Sequence, residues 1–207
     1  MNAARVVVLD YGSGNLHSVT RALAEAGAAV ELTADPVAAL AADGLVVPGV
    51  GAFAACLAQL RHVGGDGIVR QRVASGRAVL GICVGHQVLF GSGDEHGVVT
   101  AGIGVYPGKV TRVPTTRLPH MGWNTVQAAD GSAMFAGIEQ EHFYFVHSYA
   151  ALRAEDLPAT ALLTWTRHEG CRMVAAVEYQ RVWSTQFHPE KSGAAGARLL
   201  RTWITQL

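Results

Sequence analysis

Charge is scarce in this chain. Of 207 residues only 15% are Asp, Glu, Lys or Arg, against roughly 25% in an average soluble domain. The 16 basic and 16 acidic residues cancel. Without a basic excess there is no electrostatic footprint for nucleic acid or for an anionic membrane surface. Zero net charge also gives little colloidal repulsion, which suits a chain with a permanent partner. Cysteine is scarcer still. Cys56, Cys83 and Cys171 are odd in number and form no C-x-x-C, which argues against a disulfide framework and a structural zinc site and points to a reducing cytoplasm. His62, His96, His142 and His168 form neither H-E-x-x-H nor an i, i+4 pair, so no metal is expected. No apolar run approaches the roughly 20 residues of a membrane helix. The run after Arg5 is too short for the core of a signal peptide, and no leader is expected. There is no Walker motif. Gly12-x-Gly14 continues to His17 where a dinucleotide fingerprint needs Gly, so no cofactor is expected.

What is present is apolar residue in abundance, 50% of the chain. That is enough to form one domain over residues 1–207. The first half alternates in kind. Val6–Leu9 reads as a strand buried on both faces, and Val30–Leu32, Leu45–Val47 and Ala78–Cys83 as further strands. Between them Leu16–Ala26, Asp35–Ala42 (capped by Asp35, with Pro36 at its first position), Phe53–Leu60 and Ile68–Ala74 read as helices. After Gly97 the texture changes. Segments 103–113, 123–127, 143–146, 162–166, 174–178 and 182–187 are strand-like with few helices between them, and they read as antiparallel additions. The last segment, 195–207, carries one apolar face of a closing helix. The fold class is therefore α/β: a mixed, mainly parallel central sheet flanked by helices, with antiparallel additions in the second half.

The sharpest local signal is Gly81-Ile82-Cys83-Val84-Gly85, at the end of an apolar strand and before Val88-Leu89-Phe90. This is the cysteine form of a nucleophile elbow. A tight strand-to-helix turn forces the nucleophile into unfavourable backbone geometry, and small neighbours prevent clashes. A helix starting at Val84 aims N–H groups at the sulfur, stabilising a thiolate and later an oxyanion. The alternative, that Cys83 is a small buried hydrophobe, stands equal on the pentapeptide alone. The second signal is Phe187-His188-Pro189-Glu190. Pro189 bars His188 from the α region. In extended chain Glu190 lies on the same side as His188 and can accept its second ring N–H. Serine hydrolases with a similar elbow place the acid before the His, so that fold is disfavoured. The third signal is Pro48-Gly49-Val50-Gly51-Ala52-Phe53, a loop able to turn N–H groups toward an oxyanion; alone, it reads better as a tight turn.

Together PGVGAF (48–53), GICVGHQ (81–87) and HPEKS (188–192) resemble the class I, or triad, glutamine amidotransferases. DYGSGNLHSV (10–19), PHMGWN (119–124) and HFYFVHSY (142–149) narrow the resemblance to the glutaminase subunits of imidazole glycerol phosphate synthases. The match runs from residue 6 to the end. It implies hydrolysis of L-glutamine to glutamate and ammonia, with Cys83 as nucleophile, His188 as base and acid, and Glu190 as orienting carboxylate. The backbone of Val84, with Val50 or Gly51, would form the oxyanion hole. Gln87, His147, Ser148 and Tyr149 would hold the glutamine backbone, and Glu95 its ammonium. His86 stands where the family commonly has an apolar residue, and Gly193 where Gln is usual.

The resemblance also implies a heterodimer with a cyclase subunit that consumes the ammonia, converting PRFAR to imidazole glycerol phosphate and AICAR. Tyr11, Asn15, Met121, Trp123, Asn124 and Lys191 are the expected contacts, with ordinary packing as the alternative, most seriously for Trp123. The Pro48–Gly51 loop is the expected switch. Glutaminases of pyridoxal phosphate, anthranilate or guanylate synthesis are disfavoured by DYGSGNL and PHMGWN. A non-catalytic binding module is disfavoured by the intact Cys83, His188 and Glu190. The Phe143, Tyr144, Phe145 and Tyr149 cluster reads as core rather than a platform for nucleic acid.

Overall fold

The computed structural model describes residues 3–153 and 156–207; Met1 and Asn2, which open the N-terminal segment read above, lie outside them. Three strand–helix units and a fourth strand come first: Arg5–Leu9 (β1), Leu16–Glu25 (α1), Ala29–Thr33 (β2), Pro36–Ala41 (α2), Gly44–Gly49 (β3), Phe53–His62 (α3), Gly65–Ala74 (α4) and Ala78–Cys83 (β4). β3 and β4 are buried at every position, which is why they read as unbroken apolar runs rather than alternating ones. At α2, Asp35 accepts from the N–H groups of Val37 and Ala38 at 3.1 and 3.2 Å, and Pro36 fills the first turn. α1 buries Val19 and Leu23. The fully buried Arg72 of α4 donates to the carbonyls of Ala39, Ala42, Asp43 and Ala78. It thereby satisfies the open end of α2 and ties it to the start of β4.

A single turn, Val84–Gln87 (α5), follows β4, and then come Phe90–Glu95 (β5), Val98–Ala101 (β6), Tyr106–Arg112 (β7), His120–Thr125 (β8), His142–His147 (β9), Tyr149–Ala151 (β10), Leu162–His168 (β11), Cys171–Tyr179 (β12), Val182–Thr185 (β13) and Gly193–Thr205 (α6). The seven-stranded sheet has the order β11-β12-β13-β4-β3-β1-β2. β2, β1, β3, β4 and β13 run parallel; β12 pairs antiparallel with β13, and β11 antiparallel with β12. α6 buries Leu199, Leu200 and Trp203. It packs so tightly on the start of β3 that a Cβ at Gly44 would lie 2.6 Å from the Trp203 ring.

The mixed sheet is as the sequence implied, but the second half differs in several ways. Only β11 and β12 are antiparallel additions to the main sheet. β13 joins it parallel to β4, which carries its C-terminal end to the same edge as Cys83. The rest form two small sheets, β10-β7-β5-β6 and β8-β9. Within the first of these, β5 follows the elbow at once, so Val88-Leu89-Phe90 leads into a strand instead of prolonging the helix. The segment 103–113 is a strand only from Tyr106, and Cys171 opens β12.

Candidate active site

Because β3, β4 and β13 are parallel, their C-terminal ends meet at one edge, with Gly49 paired to Cys83. Cys83 sits there at φ 55°, ψ −112°, a region that a side chain with a Cβ enters only under strain of about 1–3 kcal/mol. Packing enforces it. A Cβ at Gly85 would lie 1.8 Å from the Val47 carbonyl oxygen, and one at Gly49 2.3 Å from the Gly85 nitrogen. The elbow turn is thus pressed against β3, and only glycine permits the approach. α5 begins at Val84, so the first N–H groups of the turn have no helical acceptor and face the sulfur end of the strand.

His188 is supplied by the segment after β13. Its backbone is locked: its N–H donates to the Tyr144 carbonyl at 2.9 Å, and its carbonyl accepts from Ser192 Oγ at 2.6 Å. Its Nδ1 lies 2.7 Å from Glu190 Oε1. The juxtaposition expected from an extended chain arises differently. His188 is extended at φ −99°, ψ 97°, but Pro189–Lys191 is a 3-10 turn, and that turn swings Glu190 back beneath the ring. Asn15 donates from Nδ2 to the same Oε1 at 2.6 Å; Oε2 is buried with no partner among the described residues. Burial opposes charge on His188, yet hydrogen bonds and charge from Cys83 and Glu190 outweigh it and raise the imidazole to about 9. Cys83 and His188 are 4% and 2% exposed, so these interactions act at low dielectric.

Cys83 and His188 open on a cavity of about 250 Å³, also lined by Val50, Gly51, Val84, Gln87, Glu95, His147, Ser148, Tyr149 and Lys191. Each expected oxyanion and substrate residue therefore lies around one space with Cys83. Glu95 also accepts the Phe53 N–H at 2.9 Å, capping α3. Gln87 Nε2 is committed to the Tyr149 carbonyl at 2.8 Å and Gln186 Oε1 at 3.0 Å, which leaves its carbonyl oxygen for a ligand.

Two expectations need correction. Tyr11, expected at a partner surface, is buried; its hydroxyl donates to the Pro48 carbonyl and touches Cys56 Sγ at 3.2 Å. It anchors the loop from behind. Asn15 is spent on Glu190, so it serves the triad rather than a partner. The 147–149 segment lines the cavity, although the His147 ring itself has Nδ1 engaged by the Tyr149 carbonyl and Nε2 by His120, both at 3.0 Å. Asn124 is half-buried and donates to His120 and to the Arg167 carbonyl. Met121 and Trp123 point outward from the same strand, 62% and 57% exposed.

Sequence reasoning missed Gln186 and His120. Gln186 is fully buried, with Nε2 3.9 Å from Cys83 Sγ. The same-side rule applied to 188 and 190, taken one step upstream, names it. His86 does not line the cavity. It is fully buried against Phe90, with Nδ1 2.7 Å from Ser184 Oγ, and burial pushes it down to about 3. It is a neutral core residue.

A model of the family described as glutamine amidotransferase class-I matches residues 7–207. The chain is 57% identical over 208 residues to the imidazole glycerol phosphate synthase subunit HisH of Mycolicibacterium paratuberculosis, covering all of both. To the proteins of that name from Nocardia farcinica and Mycobacterium tuberculosis it is 59% and 58% identical, again over the full length of both. It superimposes on a solved structure described as glutamine amidotransferase with a TM-score of 0.76 at 20% identity, covering 98% of this chain and 99% of that one. At that identity the likeness speaks for the fold.

Proposed function

The chain belongs to the class-I glutamine amidotransferases, and from that membership we propose that it is the glutaminase subunit of a cytoplasmic imidazole glycerol phosphate synthase. The observation that carries the chemistry is the convergence of Cys83 and His188 from two strand ends onto one cavity, with Glu190 bonded to the His188 ring behind it. The carboxamide of glutamine is a poor electrophile, and attack by sulfur splits its hydrolysis into two easier steps. Cys83 Sγ bonds to the carboxamide carbon, and the oxyanion faces the N–H groups of Val84 and of the Val50–Gly51 bend. With its pKa raised to about 9, His188 starts protonated near neutral pH. It gives that proton to the departing nitrogen, which leaves as ammonia. The neutral ring then takes a proton from water, whose oxygen attacks the γ-glutamyl thioester and releases glutamate and the Cys83 thiolate, leaving His188 protonated as it began. Glu190, held by Asn15, keeps Nδ1 pointed inward so that Nε2 does the transfer.

Ammonia released into neutral water protonates and ceases to be a nucleophile, so a protected route to an acceptor is needed. The acceptor site is assigned to a second chain, a cyclase that takes PRFAR to imidazole glycerol phosphate and AICAR. The relatives' name, a synthase subunit, supports an assembly of this kind. Lys191, exposed at the cavity, and the exposed Met121 and Trp123 of β8 offer groups for such a contact. The test measures glutamate release by wild type and Cys83→Ala, each with and without the cyclase chain and its nucleotide. Activity is expected for wild type alone, and mostly with both added. Equal rates with and without the partner contradict the coupling; activity in Cys83→Ala contradicts the chemistry.

A further inference from the structure

Behind the cavity lies a run of side chains that the triad does not use. His120 of β8 sits between the rings of Phe145 and His168, stacked at centroid distances of 4.7 and 4.5 Å. Its Nδ1 is 3.0 Å from His147 Nε2, and its Nε2 is 3.0 Å from Asn124 Nδ2. His147 Nδ1 is 3.0 Å from the Tyr149 carbonyl oxygen. Both ends of this run can play one role only. A carbonyl oxygen accepts, and an amide nitrogen donates. Asn124 is not free to turn over, because its Oδ1 accepts the Thr125 N–H and its Nδ2 also donates to the Arg167 carbonyl. The direction of every bond between the ends follows. His147 carries its proton on Nδ1 and accepts at Nε2; His120 carries its proton on Nδ1 and accepts at Nε2. Adding a proton to either ring would set two N–H groups against each other. Burial keeps both rings neutral, pushing His147 down to about 3 and His120 to about 4.

We propose that His120 is a positioning residue for the substrate pocket: its Nδ1–H fixes the tautomer and orientation of His147, and through it the Ser148–Tyr149 backbone that faces Cys83 across the cavity. The proposal rests on the glutaminase reading above and extends it to a residue that touches no substrate. The anchored carbonyl is also the one that holds Gln87, so the chain ends on two elements of the pocket wall. Removing the donor leaves His147 Nε2 a buried unpaired acceptor, and the ring reorients to recover a partner. The strand's alternation explains the placement. His120 and Asn124 turn inward while Met121 and Trp123 face outward, so the exposed and pocket-supporting side chains share one backbone.

The test compares two variants as complexes with the cyclase chain. His120→Phe keeps the stacking but deletes the donor; His120→Asn restores an N–H near the Nδ1 position. For His120→Phe, KM for glutamine is expected to rise about tenfold with kcat within about twofold, and His120→Asn to recover most of the loss. Unchanged KM in His120→Phe, or an equal loss in His120→Asn, overturns the proposal. Nitrogen-15 NMR of the wild-type imidazoles at neutral pH supplies a readout independent of catalysis. Proton-bearing Nδ1 on both His120 and His147 is expected, and a proton on His147 Nε2 overturns the chain. If wild type hydrolyses no glutamine, the glutaminase reading fails while the NMR result still decides the hydrogen-bond chain.

Discussion

Two backbone segments lie side by side at the edge of the sheet and differ in how much room they have. The elbow is packed shut, with its glycines at 81 and 85 and the facing Gly49 all within closed contact of neighbouring backbone. The Val50–Gly51 bend beside it is open. A Cβ at Gly51 would meet nothing within 4 Å, and Val50 is 37% exposed. The sulfur is therefore held by rigid packing, while the peptide opposite retains freedom to turn. Fixing the nucleophile and leaving the oxyanion side adjustable is the arrangement a partner-controlled glutaminase requires, because one misplaced oxyanion donor typically costs about 10²–10³ in rate.

Substitution sharpens that contrast most. Gly85→Ala drives a methyl into the Val47 carbonyl and is expected to cost about 3 kcal/mol, roughly 6–12 °C in Tm. Gly51→Ala has space but must adopt φ 81°, which costs about 1 kcal/mol, or 2–4 °C. Calorimetry reads both; equal losses would erase the distinction. In assays, Gly85→Ala is expected to lower free and partner-stimulated rates alike, whereas Gly51→Ala changes their ratio.

The second effect is on pH. The His188 pKa is raised from 6.5 to about 9, so its stabilising contribution is fully present below about 6.5 and fades as pH rises through about 9. The proton given to the leaving nitrogen is lost over the same upper range, so kcat/KM for glutamine is expected to fall on an alkaline limb near 9. Glu190→Gln removes one of the groups raising that value, so the limb moves to lower pH. A limb that stays in place would sever Glu190 from His188.

The smallest effect concerns Asn15. Asn15→Ala removes a 2.6 Å hydrogen bond to the triad carboxylate and is expected to lower kcat/KM about tenfold. Asn15→Asp, which sets a like charge against Glu190, is expected to lower it further. Steady-state kinetics of the complexes give the ranking, and an unchanged Asn15→Ala would make this contact incidental.

How much was legible follows from burial. β1, β3 and β4 are enclosed on both faces, so their sequences are apolar runs, and β4 was read to the residue. β5 was missed because its sequence, Phe90-Gly91-Ser92-Gly93-Asp94-Glu95, looks like a break. Gly93 is there for tertiary reasons, since a Cβ would lie 2.5 Å from the Phe53 ring. The direction of β13 was misread because four residues carry no record of which strand they pair with. The elbow is legible because a strained turn needs small flanking residues, whereas the placement of Glu190 is not, because it depends on a 3-10 turn that the extended-chain rule does not foresee. The histidine chain was not, because the partners of His120 are set by the pairing of β8 with β9 and by packing against β11.

The central claim is that Cys83, alone among the three cysteines, is activated by His188. Burial pushes the Cys56 thiol up to about 11 and raises that of Cys171 as well, so neither competes as a thiolate. Labelling with a glutamine-analogue diazoketone, followed by peptide mapping, tests this directly. The expected result is one adduct, on Cys83, forming about 10²-fold more slowly in His188→Gln. Label shared with Cys56 or Cys171, or an unchanged rate in the His188 variant, would contradict the account.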